Sequence, residues 1–353
     1  MTSLFRRRVL GGVVALLGAL LAVWINTPLP WLLGPLLAVG LFRLASLPVA
    51  CSVPIRCVGQ WAIGASLGLY FTPQIVSMIS SQWELVLIGM AFALFLGAIG
   101  TYLLHRLGGV DIRTAWFSSA IGGASEMTAL SERYGGRADL VASAHSLRIL
   151  MVVVIIPFGF QAWGVSGLDT SIVGLRETHL AGLLLLIVLT ASGGFLLQFT
   201  GMSNSWVLGP LLVSMLLTMF GMELSALPDV FSKAGQLFIG WSLGDKYRPA
   251  FFRAAPRFLS AVFVFTSLAM LLAFCLSLLL ERATPIPLPT LLLGYAPGGI
   301  AEMAITAKVL QLGVPLVTAF QVSRMAMVVV ATGPLFVHVI NRLFPLPLPQ
   351  SNP

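Results

Sequence analysis

Two glutamates in very apolar surroundings are the residues of this sequence best suited to chemistry. Each belongs to the pattern Gly-Gly-x-x-Glu-Met, which occurs at 122–127 with Glu126 and again at 298–303 with Glu302. A carboxylate at membrane depth is costly, so it is usually paired, protonated or bound to an ion. Burial favours the protonated form, which would suit proton coupling. We therefore predict that both glutamates bind an ion or proton. The alternative is a structural role in which each caps a loop.

An arginine follows each glutamate by 22 residues, Arg148 in the first case and Arg324 in the second. The planar fork of arginine could clamp an anionic substrate or neutralise the glutamate. A purely structural Glu–Arg pair is an equally good reading. Three residues before the arginines, His145 stands opposite Gln321. His145 could relay protons, or it could be a hydrogen-bonded core histidine.

Glycines and amides complete the candidate site. Gly-Gly pairs weaken a helix, and the backbone groups freed there must be buried in protein or line a wet cavity. Gln60 and Gln236 could offer oxygens to an ion, although the small residues after them equally indicate close helix packing. The predicted substrate or ion site comprises Glu126, Glu302, Arg148, Arg324, Gln60, Gln236, Ser125, His145, Gly122, Gly123, Gly298 and Gly299.

The elements that carry these residues are duplicated. The spacing of 176 that separates Glu126 from Glu302 also separates Gly59-Gln60 from Gly235-Gln236. A Trp-x-Leu-Gly-Pro block recurs with a spacing of 175. We predict one integral membrane unit with a first repeat at 9–165 and a second at 177–342.

Composition assigns the chain to the lipid bilayer. Hydrophobic residues make up 58% of the sequence, charged residues 9%, and mean hydropathy is +0.97. Such values are typical of membrane proteins. The net charge of +8 resides in short loops rather than in a basic domain, so nucleic acid is not a predicted partner. The three cysteines form no CxxC pair, and no motif for nucleotide, metal or haem binding is present. We predict no cofactor, no metal site and no enzymatic activity.

Six helical elements are predicted in each half, the fifth broken at its glycines. In the first half they cover about 9–25, 30–45, 56–71, 84–104, 114–132 and 139–163. In the second half they cover about 179–198, 205–221, 233–247, 258–280, 290–308 and 315–341.

The lysines and arginines predict the topology. The stretch 71–83 contains neither residue, whereas its equivalent 245–257 contains four, so equivalent loops lie on opposite faces. This predicts an all-α polytopic protein of two inverted repeats, with about ten transmembrane helices, two re-entrant broken hairpins and both termini cytoplasmic. Twelve spans in parallel repeats is the alternative.

With these motifs in their order, the chain resembles the bacterial AbrB-type membrane protein family over residues 10–342. The Gly-Gly-x-x-Glu-Met motif, the Trp-x-Leu-Gly-Pro block and the arginine of the sixth element carry the resemblance. Members of the family are labelled ammonia monooxygenases or regulators of gene expression. The first label implies metal ligands that the sequence does not supply, and the second has no DNA-binding segment to support it. The resemblance supplies no catalytic residues.

The leading functional prediction is a secondary transporter in the bacterial inner membrane. Inverted repeats with paired broken elements favour a midplane site for a small anionic or zwitterionic solute, coupled to H+ or Na+. A membrane-embedded sensor that affects gene expression is the alternative, and a membrane monooxygenase is the least favoured reading. The sequence leaves the oligomeric state open, a homo-oligomer included.

Overall fold

A computed structural model describes residues 2–165, 167, 178–202, 204–222, 224–247 and 255–343. Over these residues the chain is built from helices, in agreement with the predicted all-α class. The first half contains α1 (Thr2–Trp24), α2 (Pro30–Leu44), α3 (Val53–Gly68), α4 (Pro73–Ser81), α5 (Trp83–Gly108), α6 (Ile112–Ser119), α7 (Ala124–Arg133) and α8 (Ala138–Trp163). The second contains α9 (Leu180–Gln198), α10 (Ser205–Met219), α11 (Asp229–Gly244), α12 (Pro256–Glu281), α13 (Leu288–Tyr295), α14 (Ile300–Leu310), α15 (Val314–Leu335), a π-helix (Phe336–Ile340) and α16 (Asn341–Leu343).

Six of these helices are long and apolar enough to cross a membrane. They are Leu4–Trp24, Trp83–Gly108, Ala138–Trp163, Leu180–Gln198, Pro256–Glu281 and Val314–Ile340. A seventh span results if α3 and α4, which are bent by 85° at their junction, count as one. The apolar helices α2 and α10 are shorter, with 15 residues each. A multi-pass membrane protein is therefore the architecture that the helices support.

Close approaches at glycine hold the first compact unit together. This unit comprises 1–81, 154–251 and 304–315. In it α1 packs on α2 and α9 on α10, while α2 contacts α11 and α3 contacts α10. A Cβ on Gly18 would lie 2.6 Å from Gly34 O, and a Cβ on Gly193 would lie 3.0 Å from Gly209 O. Equivalent glycine pairs in the two halves of the sequence thus allow two helix backbones to approach closely, because glycine has no side chain.

The second compact unit comprises 82–153, 252–303 and 316–353, and it contains most of the predicted site. Its α5 packs on α6 and α12, and α12 packs on α13. Trp116, Phe117, Met127, Val328 and Phe336 form a buried cluster within it. This cluster fixes the short helices α6 and α7 against α15.

The chain doubles back between α6 and α7. The Arg137 N–H, just after α7, donates to Thr114 Oγ1 in the first turn of α6 at 2.9 Å. The start of α6 and the end of α7 therefore lie side by side, as in a hairpin. The predicted break of the fifth element is present in both halves, at 120–123 and 296–299.

Two features of the fold have no counterpart in the predicted elements. The stretch 71–83 was expected to be a loop but contains α4, and the end of the sixth element becomes a π-helix two residues after Pro334. Some topology markers lie outside the described residues, namely 176, 177, 248, 252 and 253.

Candidate functional site

The candidate site is built on two helix breaks with the same backbone. In the first, α6 ends at Ala120 with φ −57° and ψ 126°, and α7 starts after Gly123. In the second, α13 ends at Ala296 with φ −56° and ψ 143°, and α14 starts after Gly299. An extended residue at the end of a helix leaves its last carbonyls without intrahelical donors. Other parts of the protein must supply those donors.

Arg148 supplies them at the first break. Its Nη1 donates to Ala120 O at 3.0 Å and its Nη2 to Gly122 O at 3.3 Å. The side chain is only 3% exposed. The arginine therefore satisfies the carbonyls of the broken backbone. Because the guanidinium group is charged, its hydrogen bonds are stronger than those of a neutral donor.

Arg324 does the same at the second break, with the same spacing along the chain. Its Nη1 donates to Ala296 O at 2.6 Å and its Nη2 to Gly298 O at 2.7 Å. The residue is 5% exposed. Among the described residues, neither Arg148 nor Arg324 forms an ion pair with a carboxylate. The terminal nitrogens of both arginines thus bond to backbone carbonyls, a role that was not predicted, and the predicted contact with an anionic substrate stays a prediction.

The diverged pair, His145 and Gln321, also serves the ends of the short helices. His145 Nε2 lies 2.9 Å from Phe117 O and, facing a carbonyl, donates to it. Gln321 Nε2 donates to Leu293 O at 2.7 Å, and Leu293 is the repeat equivalent of Phe117. Gln321 Oε1 also accepts from Arg324 Nη2 at 2.7 Å. Two different side chains thus perform one task in the two halves.

The Gly-Gly-x-x-Glu-Met motif has a direct steric explanation. Glu126 occupies the third position of α7, and its side chain folds back so that Oε2 takes the place where a Cβ on Gly123 would stand. Glu302 stands in the same relation to Gly299. The methionine after each glutamate folds over the other glycine, so that a Cβ on Gly122 would lie 3.0 Å from Met127 Cε. A Cβ at either position would displace the glutamate or the methionine, so the two glycines allow both side chains to fold back onto the break.

Positive charge concentrates where the breaks lie. Arg148 bonds to Gly122 O, and a Cβ on Gly122 would lie 3.2 Å from Val328 Cγ1, about one helical turn after Arg324, so both guanidinium groups belong to this region. The helices α7 and α14 both begin at the breaks, and a helix start carries a partial positive charge. Each glutamate lies at one of these helix starts, where a carboxylate is stabilised. Glu302 is buried at 9% exposure, whereas Glu126 is half-buried.

The other predicted residues belong to different elements. Ser125 is exposed on the first turn of α7, beside Glu126. Gln60 and Gln236 belong to the other compact unit, on α3 and α11. Gln60 Nε2 donates to Asn204 Oδ1 at 3.2 Å. A Cβ on Gly59 would lie 3.0 Å from Gly235 O, so the small residues here serve a helix crossing.

One polar cluster was not predicted. Lys308, near the end of α14, donates to Ser66 Oγ at 2.5 Å and to Ser232 Oγ at 3.3 Å. Its repeat equivalent is Glu132, which is exposed on α7. The sequence does contain a signal for this cluster, because a lysine in one repeat replaces the glutamate at the equivalent position of the other.

Metal ligands do not gather in the part of the chain that the structure describes. No group of three or more His, Cys, Asp or Glu side chains there could hold an ion. The groups that the breaks present are guanidinium groups, carboxylates and backbone dipoles.

Comparison with known proteins places these features in one family. The family model described as "Transition state regulatory protein AbrB" matches residues 9–341. The chain is similar to "Uncharacterized protein YhjN" of Bacillus subtilis (strain 168), with 26% identity over 296 residues, 79% of this chain and 77% of the relative. It is also similar to "Putative regulator AbrB" of Escherichia coli (strain K12), with 25% identity over 342 residues, 95% of this chain and 97% of the relative. The chain therefore belongs to the AbrB family of membrane proteins.

Proposed function

We propose that the protein is a secondary transporter of a small solute, with its site at the two helix breaks. The observation that carries this proposal is the pair of breaks, each with a buried arginine on its carbonyls and a glutamate at its helix start. Transporters commonly bind substrates and ions at paired discontinuous helices. A lone break could be a packing device, but matched breaks in two repeats are typical of a binding site.

The topology that we propose makes the repeats inverted. Ten transmembrane helices and two re-entrant hairpins would put both termini in the cytoplasm of a bacterium, with the protein in the inner membrane. The hairpin of α6 and α7 supports this arrangement because it returns to the side from which it starts. An odd number of full crossings per half then follows, and that is the condition for inversion.

The glutamates are the proposed coupling groups. A carboxylate at a helix start beside broken backbone can exchange a proton as the local surroundings change between wet and dry. Protons are favoured over sodium because few acidic side chains are available to share a cation. The proposal needs neither ATP nor a bound cofactor, and it includes no enzymatic step.

Proteoliposomes loaded with a pH-sensitive dye test the coupling. A panel of small carboxylates and amino acids is added outside, and solute-dependent acidification of the lumen is recorded. We expect a signal from at least one compound for the wild-type protein and none for Glu126→Gln or Glu302→Gln. Glu132→Gln is the matched control, since Glu132 is an exposed carboxylate on the same helix as Glu126. Signals that are equal in all four proteins would refute the coupling role.

A second candidate function is a membrane-embedded regulator of gene expression. It is favoured by the description of the family model and by the name of the Escherichia coli relative. In a strain that lacks the gene, transcript changes that are reversed equally by the wild type and by the Glu126→Gln, Glu302→Gln double variant would support it. Reversal by the wild type alone would favour the transporter.

A further inference from the structure

We propose that the two breaks form a binding site for a small oxyanion, held by the Nε groups of Arg148 and Arg324 and by the starts of α7 and α14. The inference rests on the proposed function, because it names the chemical class of the transported solute. Carboxylate, sulfate and phosphate groups share this chemistry, and the experiment below separates them.

Arg148 and Arg324 place two positive charges in the interior of the protein, and both side chains are more than nine-tenths buried. Arg148 bonds to Gly122 O, and a Cβ on Gly122 would lie 3.2 Å from Val328 Cγ1, which follows Arg324 by about one helical turn. Over the described residues no carboxylate forms an ion pair with either guanidinium group. Buried charges are normally paired, because an isolated ion is expensive to remove from water. Carbonyl dipoles offset part of this cost, and an anion between the two cations would offset the rest.

Each of the two arginines has an unused hydrogen-bond donor. The terminal nitrogens bond to the carbonyls of the breaks, but the Nε atoms of Arg148 and Arg324 are buried with no hydrogen-bond partner in the described structure. A buried donor left unsatisfied costs free energy comparable to a lost hydrogen bond. An oxyanion is an acceptor that would satisfy both.

The starts of α7 and α14 lie beside the carbonyls that the arginines bind. The Arg148 guanidinium bonds to Gly122 O, and Gly123, the next residue, is the cap from which α7 begins. The Arg324 guanidinium bonds to Gly298 O, directly before the start of α14. Helix starts bind anions because their backbone N–H groups are free and their dipole is positive. Each break therefore offers a guanidinium donor and a helix start together.

The glutamates then act as competitors of the anion. Glu126 folds back over Gly123 at the start of α7, so its carboxylate lies at the helix start where the oxyanion would bind. A neutral amide at position 126 keeps the shape but removes the repulsion. We expect Glu126→Gln to bind the anion more tightly, by about five- to tenfold, which corresponds to roughly 1 to 1.4 kcal/mol.

The test is a titration of the purified full-length protein in detergent, with thermal unfolding as the readout. The probes are sodium acetate, sodium sulfate and sodium phosphate at constant ionic strength in sodium chloride, with acetamide as the neutral analogue of acetate. We expect saturable stabilisation by at least one oxyanion and none by acetamide. The probe that acts identifies the headgroup: acetate a carboxylate, sulfate or phosphate a tetrahedral oxyanion.

Three variants make the test specific. Glu126→Gln should shift the titration to lower anion concentration, whereas Glu132→Gln should leave it unchanged. Arg148→Gln should abolish it if the variant folds, and the glutamate pair decides the question if it does not. No saturable effect of any oxyanion, or equal titrations for Glu126→Gln and Glu132→Gln, would overturn the inference. Transport of only neutral or cationic solutes in proteoliposomes would leave the transporter standing and reject the anion site.

Discussion

Replacement of His145 is the sharpest test of how the carbonyls at the helix breaks are satisfied. His145 is fully buried, and its Nε2 donates to Phe117 O, a carbonyl in the last turn of α6 without an intrahelical donor. Gln321 performs this task on Leu293 O in the other half. His145→Gln therefore installs the side chain that the second repeat already uses, whereas His145→Ala removes the donor.

The expected cost follows from the bonds that are lost. His145→Ala leaves a buried carbonyl unsatisfied, which costs about 1–3 kcal/mol. Gln321→Ala should cost more, roughly 2–5 kcal/mol, because the amide also accepts from Arg324 and its loss leaves a charged donor with one bond fewer. His145→Gln should stay within about 1 kcal/mol of the wild type, since the donor is retained.

Thermal unfolding in detergent, followed by tryptophan fluorescence, ranks the variants. The expected order of stability, from highest to lowest, is wild type, His145→Gln, His145→Ala, Gln321→Ala. If His145→Gln is as unstable as His145→Ala, the donor to Phe117 O is not what the site requires. Wild-type stability of His145→Gln with loss of transport would instead point to a proton relay by the histidine.

Two further predictions concern the glycine motif and the topology. Gly123→Ala and Gly299→Ala place a Cβ where the glutamate Oε2 lies, so each carboxylate must leave its helix start and coupled uptake should be lost; Gly159→Ala is the control, because a Cβ there meets nothing within 4 Å. Uptake at the wild-type rate would contradict the steric account. For the topology, a membrane-impermeant thiol reagent applied to spheroplasts should label Val76→Cys and spare Phe252→Cys, its repeat equivalent, in a background with all three native cysteines replaced by serine. Labelling of both would favour parallel repeats.

Much of the fold could be predicted because hydrophobic length and duplication are properties of the sequence itself. The starts of α2, α9 and α10 were predicted to within one residue, since Trp31 and Trp206 lie at two of these boundaries and a long apolar run begins at the third. The break at Gly122-Gly123 was predicted because a glycine pair weakens a helix. By contrast, α4 was missed, because a short amphipathic helix after a bend of 85° has neither the length nor the apolar run of a span.

The candidate site was harder to predict, because its acceptors are backbone atoms. Nothing in the sequence marks Ala120 O or Ala296 O as the partner of an arginine, since any residue has the same carbonyl. The natural expectation was that an arginine in an apolar helix seeks the nearby glutamate. The arginines bond to the helix ends rather than to the glutamates, because water cannot satisfy carbonyls that are buried at a break.

The arginines contribute to both stability and the proposed function, whereas Glu126 contributes mainly to the proposed function. This difference decides which variants are informative. Arg148 and Arg324 hold the breaks through their terminal nitrogens, so their loss would disturb the fold and the proposed site at once. Glu126 lies at the helix start, and its buried Oε2 has no hydrogen-bond partner in the described structure, so Glu126→Gln changes charge with little loss of structure. A defect in Glu126→Gln that leaves unfolding unchanged can only be functional. The same defect in an arginine variant would not distinguish a lost ligand from a collapsed break.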